Sequence, residues 1–175
     1  MSGQPRALLF TEFCRKVSEL ETKGMDMVEA HDIIMRGAVK KHAGVVVSSA
    51  DALWQAVFDS PLKALATALA VQRRLCERNR ESPPEKKVSA KMCLHEGVFT
   101  SDEKGVYGIE TDVLYRLIEA TPCGRVFATG KVYAKALGKH PCAFIPLGRE
   151  HFTGIHEAVE VFEIVPALGL GSAPQ

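Results

Sequence analysis

No apolar run in this chain approaches the roughly 20 residues that cross a bilayer, and the opening MSGQPRALLF lacks the long apolar stretch of a signal peptide. The chain also lacks an excess of charge of either sign, because it has 22 basic and 21 acidic residues and a net charge of +1. This balance gives no indication of binding to nucleic acid or to a membrane surface. We therefore expect a cytoplasmic protein with neither of those partners.

Cysteine spacing shows no recognisable framework. The five cysteines include no pair with CxxC spacing, and no histidine follows at a zinc-finger interval. They are Cys14, Cys76, Cys93, Cys123 and Cys142. This pattern favours buried free thiols in a reducing compartment and indicates neither a disulfide framework nor a zinc site.

The length and composition are those of one soluble globular domain. The chain has 175 residues, of which 46% are hydrophobic and 25% charged, enough for a hydrophobic core without cross-links. We expect a flexible N-terminus over residues 1–5, a folded domain over residues 6–165 and a disordered tail over residues 166–175, which reads PALGLGSAPQ.

Apolar periodicity and turn residues predict an α+β fold with helices packed on a mainly antiparallel sheet. Ser60 and Pro61 form an N-cap and first-turn proline, and they predict the start of a long helix that ends near Arg80. Residues 88–96 and 97–100 are predicted to form two strands joined by a tight turn. The other predicted strands cover residues 6–13, 45–49, 53–58, 125–130, 142–147 and 159–165, and the other predicted helices cover residues 26–41, 111–120 and 131–137.

Three segments resemble a known family when taken in order. LLFTEF, then HAGVVVSSADALWQAVFDSPLKALATALAVQRRL, then VYGIETDVLYRL resemble the catalytic domain of class III adenylate/guanylate cyclases. The match covers nearly the whole chain, and it is strongest in the block that contains Ala56-Val57-Phe58 and Ser60-Pro61. The resemblance implies the ferredoxin-like sandwich of the class III nucleotidyl cyclase type and a head-to-tail dimer.

The reaction of that family needs two divalent cations, which activate the attacking 3′ oxygen and neutralise the triphosphate. The resemblance implies that the two metal-binding carboxylates fall on Glu12 and Ala52. Glu12 can bind Mg²⁺ or Mn²⁺, but its extra methylene displaces the carboxylate, which octahedral Mg²⁺ tolerates badly. Ala52 cannot bind a metal. Asp51 is adjacent, and a slip in the hairpin could restore the second ligand, although neighbouring positions point in different directions.

The remaining chemical positions are also altered. The resemblance implies that the base-reading lysine falls on Ser48 and its partner on Gly105, and neither residue offers a charged contact to a purine. Asp112 takes the place of the ribose-orienting asparagine. Arg116, implied to contact phosphate, is the one residue kept as the family has it; it could instead pair with Asp112 one helical turn away.

Three further residues have alternative interpretations. Arg15 takes the place of a glycine in the implied phosphate-binding turn and would crowd it. His95 lies where the family has a chiefly structural histidine. Trp54, the single tryptophan, is expected either to fill the vacated nucleotide pocket or to pack at a dimer interface.

These substitutions predict a catalytically inactive or nearly inactive pseudoenzyme, acting as a dimeric binding or regulatory module in signal transduction. One alternative is an unorthodox nucleotidyl cyclase that converts ATP or GTP to a cyclic nucleotide, with Mg²⁺ or, more readily, Mn²⁺ as cofactor. A second alternative is a domain that binds a nucleotide without turnover. The expected partners are a second copy or another cyclase-type domain on the same face, a possible nucleotide and an unidentified signalling protein.

Overall fold

The computed structural model describes residues 4–14, 25–50 and 53–167. This part of the chain contains four α-helices, one short 3₁₀ helix (Pro84–Lys86) and nine strands. In chain order the α-helices and strands are β1 (Arg6–Phe13), α1 (Met25–Lys41), β2 (Val45–Ala50), β3 (Leu53–Phe58), α2 (Pro61–Arg80), β4 (Ala90–Gly97), β5 (Thr100–Asp102), β6 (Gly105–Tyr107), α3 (Ile109–Ala120), β7 (Val126–Thr129), α4 (Gly130–Ala136), β8 (Cys142–Glu150) and β9 (Val159–Pro166).

Seven strands form one mixed sheet in the order β2-β3-β1-β4-β7-β9-β8. The pair β4–β7 is parallel and the other neighbours are antiparallel. The strands β5 and β6 form a separate two-stranded hairpin. This arrangement confirms the predicted α+β fold with helices on a mainly antiparallel sheet.

Each face of the sheet is covered by a different layer. Alternate residues of a strand point to opposite faces, so β1 sends Leu9 into one core and Phe10 into the other. The helices α1, α2 and α4 cover the face of Leu9, and α3 with the β5–β6 hairpin covers the face of Phe10. Because both faces are covered, β1 is a nearly continuous apolar run, as expected for a central strand.

The structure confirms the predicted start and end of the long helix α2. The Ser60 hydroxyl accepts a hydrogen bond from the Leu62 amide at 3.2 Å, and Pro61 occupies the first turn. This cap satisfies a backbone donor that the helix itself leaves unpaired. In the part of the chain that the structure describes, no helix combines the length and apolar character needed to cross a membrane.

Two predictions are wrong, and three positions cannot be compared. Residues 97–100 do not form the predicted separate strand, because Gly97 is the last residue of β4 and the next strand, β5, begins at Thr100 and pairs with β6. Cys14 and Cys123 form a disulfide bond with their Cα atoms 6.0 Å apart, whereas free thiols were predicted. Arg15, Asp51 and Ala52 lie outside the described residues, as do residues 1–3 and 168–175 of the predicted flexible termini.

The disulfide depends on pairing between distant parts of the chain. Cys14 directly follows β1 and Cys123 lies in the turn before β7, and these two strands flank β4 on either side. The two cysteines are separated by 109 positions, so no local pattern relates them. Cys76 and Cys93 are buried and belong to no disulfide, which agrees with the prediction for them.

Candidate functional site

The face of the sheet beneath α3 collects several of the predicted site residues. Directly opposite residues in antiparallel strands point to the same face, and Glu12 is opposite Leu53 and Lys91. Phe10, two residues before Glu12 and therefore on the same face, is opposite Gln55 and Cys93. Glu12 and Gln55 therefore lie on one face of the sheet, the face covered by α3 and the β5–β6 hairpin.

Glu12, the weak candidate metal ligand, is paired with a lysine. Glu12 Oε2 lies 3.5 Å from Lys91 Nζ, and the Lys91 side chain is only 16% exposed. A cation bound at Glu12 would have to displace or repel this ammonium group. Among the described residues, no group of three or more histidine, cysteine, aspartate or glutamate side chains is arranged to hold a metal ion.

The two positions implied for base recognition meet at Gln55. Ser48 pairs with Gln55 in the β2–β3 ladder, next to a β-bulge. A Cβ atom added to Gly105 would lie 3.0 Å from Gln55 Oε1. Gln55 itself donates from Nε2 to Tyr115 Oη at 2.7 Å, and its Oε1 accepts from the Val106 amide at 3.3 Å. The side-chain amide is thus bonded within the chain at both ends.

Asp112 and Arg116 lie on the exposed flank of α3. Arg116 Nη1 is 3.5 Å from Glu119 Oε2, and both side chains are largely exposed. The alternative in which Arg116 pairs with Asp112 is therefore wrong, because the partner is one turn further along. Neither Asp112 nor Arg116 forms a hydrogen bond or an ion pair with Glu12.

A partly buried polar network joins the ends of two strands to the starts of two helices. His95 Nδ1 lies 2.8 Å from Thr129 Oγ1, and His95 Nε2 lies 2.6 Å from Glu110 Oε2. Lys131 Nζ donates to Glu110 Oε1 at 2.9 Å. The hydrogen bond with His95 is the main cause that lowers the pKa of Glu110 to about 2, and Lys131 adds to it while partial burial opposes it.

The contacts of His95 agree with the structural role predicted for it. A cavity of about 500 Å³ lies beside the network, bounded by the starts of α3 and α4 and by residues 155–160. Glu12, Ser48, Gly105, Asp112 and Arg116, the predicted site residues that the structure describes, do not line it. His95 is opposite Leu8 of β1, so the cavity lies on the same face of the sheet as Glu12 and Gln55, where the start of α3 meets residues 155–160.

Both positions predicted for Trp54, the nucleotide pocket and a dimer interface, are wrong. It points to the opposite face of the sheet from Gln55, is 4% exposed, and packs edge-on against His31 of α1 with a ring-centroid distance of 6.3 Å. The Arg36 guanidinium lies 4.9 Å from the Trp54 ring centroid. Trp54 therefore fills the core beneath α1. It does not occupy the cleft beneath α3, and it is not exposed at a surface where a dimer could form.

Sequence reasoning missed Gln55 and Tyr115. A glutamine within the apolar strand LWQAVF was a usable signal, since a buried amide requires hydrogen-bond partners. Its partner, Tyr115, is 60 positions away on α3 and could be found only from the fold. Glu110 and Lys131 were missed for the same reason, because the contact spans 21 positions.

Solved structures of nucleotide cyclases share this fold. An adenylate/guanylate cyclase/hydrolase from Silicibacter pomeroyi superposes with a TM-score of 0.85 at 19% identity, covering 93% of this chain and 97% of that one. The guanylyl cyclase Cya2 gives a TM-score of 0.80 at 15% identity, covering 99% and 100%. The adenylyl cyclase CyaB from P. aeruginosa gives 0.76 at 16% identity, covering 95% and 97%. The chain therefore has the fold of the class III adenylate/guanylate cyclase catalytic domains.

Sequence comparison adds one distant relative. The chain is 26% identical over 153 residues to the serine/threonine-protein kinase pkn2 of Myxococcus xanthus, a match over 87% of this chain and 18% of the kinase. The chain thus spans less than a fifth of the length of that relative. No family model matches the sequence.

Proposed function

We propose that this chain is a degenerate cyclase-type domain with little or no cyclase activity, which acts as a dimeric binding or regulatory module in signal transduction. The observation that supports this most directly is the position of Gln55. It lies between Ser48 and Gly105, and its amide already bonds to Tyr115 and Val106. A site that reads a purine edge needs polar groups free to pair with it, and here the available amide is engaged internally.

The altered residues together lower the expected cyclase rate further than any one of them alone. Ser48 and Gly105 supply no charged contact to a base, and Glu12 faces the Lys91 ammonium group. Removing a single group that stabilises a transition state commonly costs about 2.7–4 kcal/mol. Two or three such losses together lower the rate by several orders of magnitude.

The signalling role is supported by the distant relative. A kinase that contains a segment similar to this chain, within a much longer sequence, combines such a domain with another signalling activity in one polypeptide. We propose that the domain described here acts on an unidentified signalling protein, through contacts rather than through a diffusible product.

A residual activity is the competing proposal, and it rests on exposed groups. Glu12 is 37% exposed, and Asp112 and Arg116 lie on the accessible flank of α3. In this alternative, Mn²⁺ at Glu12 and phosphate at Arg116 would support slow cyclisation of ATP or GTP, since Mn²⁺ tolerates irregular geometry better than Mg²⁺ does.

Incubation with ATP or GTP and Mn²⁺, followed by chromatography of the products, separates the two proposals. We expect no cyclic nucleotide above the level of a heat-denatured sample. Product that disappears in Arg116→Ala but persists in Arg149→Ala would overturn the proposed loss of activity. Arg149 is a suitable control because it is an exposed arginine on β8, outside the candidate site.

Binding without turnover has its own test. A ligand that binds only the native state raises the unfolding midpoint by an amount set by its concentration and Kd. A midpoint raised by ATP, GTP or a cyclic nucleotide in the wild type and in Arg149→Ala, but not in Arg116→Ala, would identify the domain as a nucleotide sensor. An unchanged midpoint at millimolar nucleotide would favour recognition of a protein alone.

A further inference from the structure

We propose that Cys14 and Cys123 form a reversible redox modification site, which ties the end of β1 to the turn before β7 in its oxidised state and releases it when reduced. This inference does not depend on the proposed function. It rests on the disulfide itself, on the backbone that holds the two cysteines in place and on their accessibility.

The backbone positions both cysteines without help from the sulfur atoms. The Cys14 amide donates to the Ser89 carbonyl at 2.9 Å, and the amide of Gly124, next to Cys123, donates to the Ala90 carbonyl at 3.1 Å. The two cysteines therefore sit on either side of the start of β4. Their Cα separation of 6.0 Å falls within the usual range for a disulfide. Because these hydrogen bonds persist after reduction, the two thiols stay close enough to pair again.

Solvent exposure makes Cys14 and Cys123 more reactive toward thiols in solution than the buried cysteines are. Cys123 is exposed and Cys14 is half-buried, whereas Cys76 and Cys93 are buried. Thiol–disulfide exchange requires that an incoming thiolate reach a sulfur atom. Burial also raises the pKa of Cys93 well above its usual value, which keeps that thiol protonated and unreactive. A small thiol in solution will therefore meet the Cys123 sulfur before the buried ones.

The chemistry is a two-step exchange with a low-molecular-weight thiol such as glutathione. Its thiolate attacks Cys123 Sγ, the Sγ–Sγ bond breaks, and Cys14 leaves as a thiolate that takes a proton from water. A second glutathione thiolate then attacks the sulfur of the bound glutathione. This step releases Cys123 as a thiol and forms glutathione disulfide, so two thiols supply the two electrons. Oxidation is the reverse, with glutathione disulfide as the oxidant.

The bond has two structural consequences. It joins residues 109 positions apart, so it restricts the unfolded chain and raises stability. It also fixes the chain where it leaves β1, two residues after Glu12. After reduction, the backbone bond from Cys14 to Ser89 and the pairing of Phe13 with Ala90 continue to hold this end of the strand.

Trapping experiments on the full chain test the proposal. The protein is equilibrated in glutathione buffers from fully reduced to fully oxidised, labelled with N-ethylmaleimide without denaturant, and analysed by intact and peptide mass spectrometry. We expect two labels to disappear on oxidation, both from Cys14 and Cys123, with Cys76 and Cys93 unlabelled in both states. Label on both Cys14 and Cys123 in the most oxidising buffer would overturn the proposal. Protection of both under excess dithiothreitol in the native protein would also overturn it.

Thermal unfolding gives a second readout. Dithiothreitol should lower the midpoint of the wild type by several degrees, and it should leave Cys14→Ser and Cys123→Ser unchanged. Cys142→Ser is the control and should keep the full effect, since Cys142 lies on β8 and belongs to no disulfide. An equal effect of dithiothreitol on Cys14→Ser and on the wild type would refute the assignment.

Discussion

His31 is a base enclosed by apolar rings. It is 2% exposed, contacts Phe13 and Trp54, and its Nε2 atom has no hydrogen-bond partner. Burial lowers the pKa of His31 to about 4, and the neighbouring Asp32 only partly opposes this. The core under α1 is therefore built to hold a neutral imidazole.

This environment predicts a pH dependence of stability. Above pH 6.5 the imidazole is neutral in both the folded and the unfolded chain, so its contribution is constant. Between pH 6.5 and about pH 4 the unfolded chain binds the proton and the folded one does not, so the free energy of unfolding falls as the pH falls. The loss should be on the order of 3 kcal/mol.

Denaturant titrations at several pH values measure this loss. His31→Leu should remove most of the dependence in that window, whereas His151→Gln, at an exposed histidine, should leave it in place. A slope in His31→Leu equal to that of the wild type would show that another group titrates there.

Gly105 shows why a single substitution cannot restore the base-recognition position. Its φ of +148° favours glycine, and a Cβ atom would lie 3.0 Å from Gln55 Oε1. Gly105→Ala should therefore lower the free energy of unfolding by about 1–3 kcal/mol. The control is Gly37→Ala within α1, where an added Cβ meets nothing within 4 Å. It should instead stabilise by about 0.5–1 kcal/mol. Equal effects of the two substitutions in urea titrations would contradict this account of Gly105.

At the scale of elements, the network around Glu110 sets how the starts of α3 and α4 meet the ends of β4 and β7. Glu110→Gln keeps the shape but removes the charge that His95 and Lys131 contact. We expect a loss of about 2 kcal/mol at pH 7, because hydrogen bonds to charged groups contribute more than neutral ones.

The sign of its pH dependence is opposite to that of a carboxylate buried without a partner, whose pKa is raised. The folded pKa of Glu110, about 2, lies below its usual 4.5, so its stabilisation is complete above pH 4.5 and is lost as the pH falls toward 2. The wild type and Glu110→Gln should therefore converge in acid, as followed by circular dichroism in urea. Glu119→Gln, an exposed control on the same helix, should change stability little at any pH. A constant difference between the wild type and Glu110→Gln down to pH 2 would contradict the proposed pairing.

Elements governed by local chemistry were predictable from the sequence, and those governed by distant pairing were not. Ser60 and Pro61 carry the start of α2 within three residues. The strand β5 has three residues, and its pairing with β6 depends on the hairpin packing beneath α3. The same limit applies to the candidate site. Resemblance selected Ser48 and Gly105, but only the fold shows that Gln55 lies between them.

At the scale of the whole molecule, the two faces of the sheet differ in how well their layers close. Three helices cover the face of Leu9, whereas one helix and a small hairpin cover the other. Large apolar side chains remain exposed in and beside the thinner layer. They are Val98, Tyr107, Ile109 and Tyr115, each at least 39% exposed. Exposed apolar residues in one region of a surface are typical of an interface, and we therefore predict that the proposed dimer forms through this layer.

This difference between the faces predicts where dimerisation can be broken. Light scattering after size exclusion should show a dimer at tens of micromolar, and Ile109→Glu should shift it to monomer, because burying an unpaired carboxylate in an interface is costly. The matched control is Leu137→Glu. Leu137 is 56% exposed against 61% for Ile109, but it ends α4 on the opposite face. Circular dichroism should show that both variants are folded, since neither side chain is buried. A wild type that is monomeric at this concentration would contradict the dimer, and equal dissociation of both variants would place the interface elsewhere.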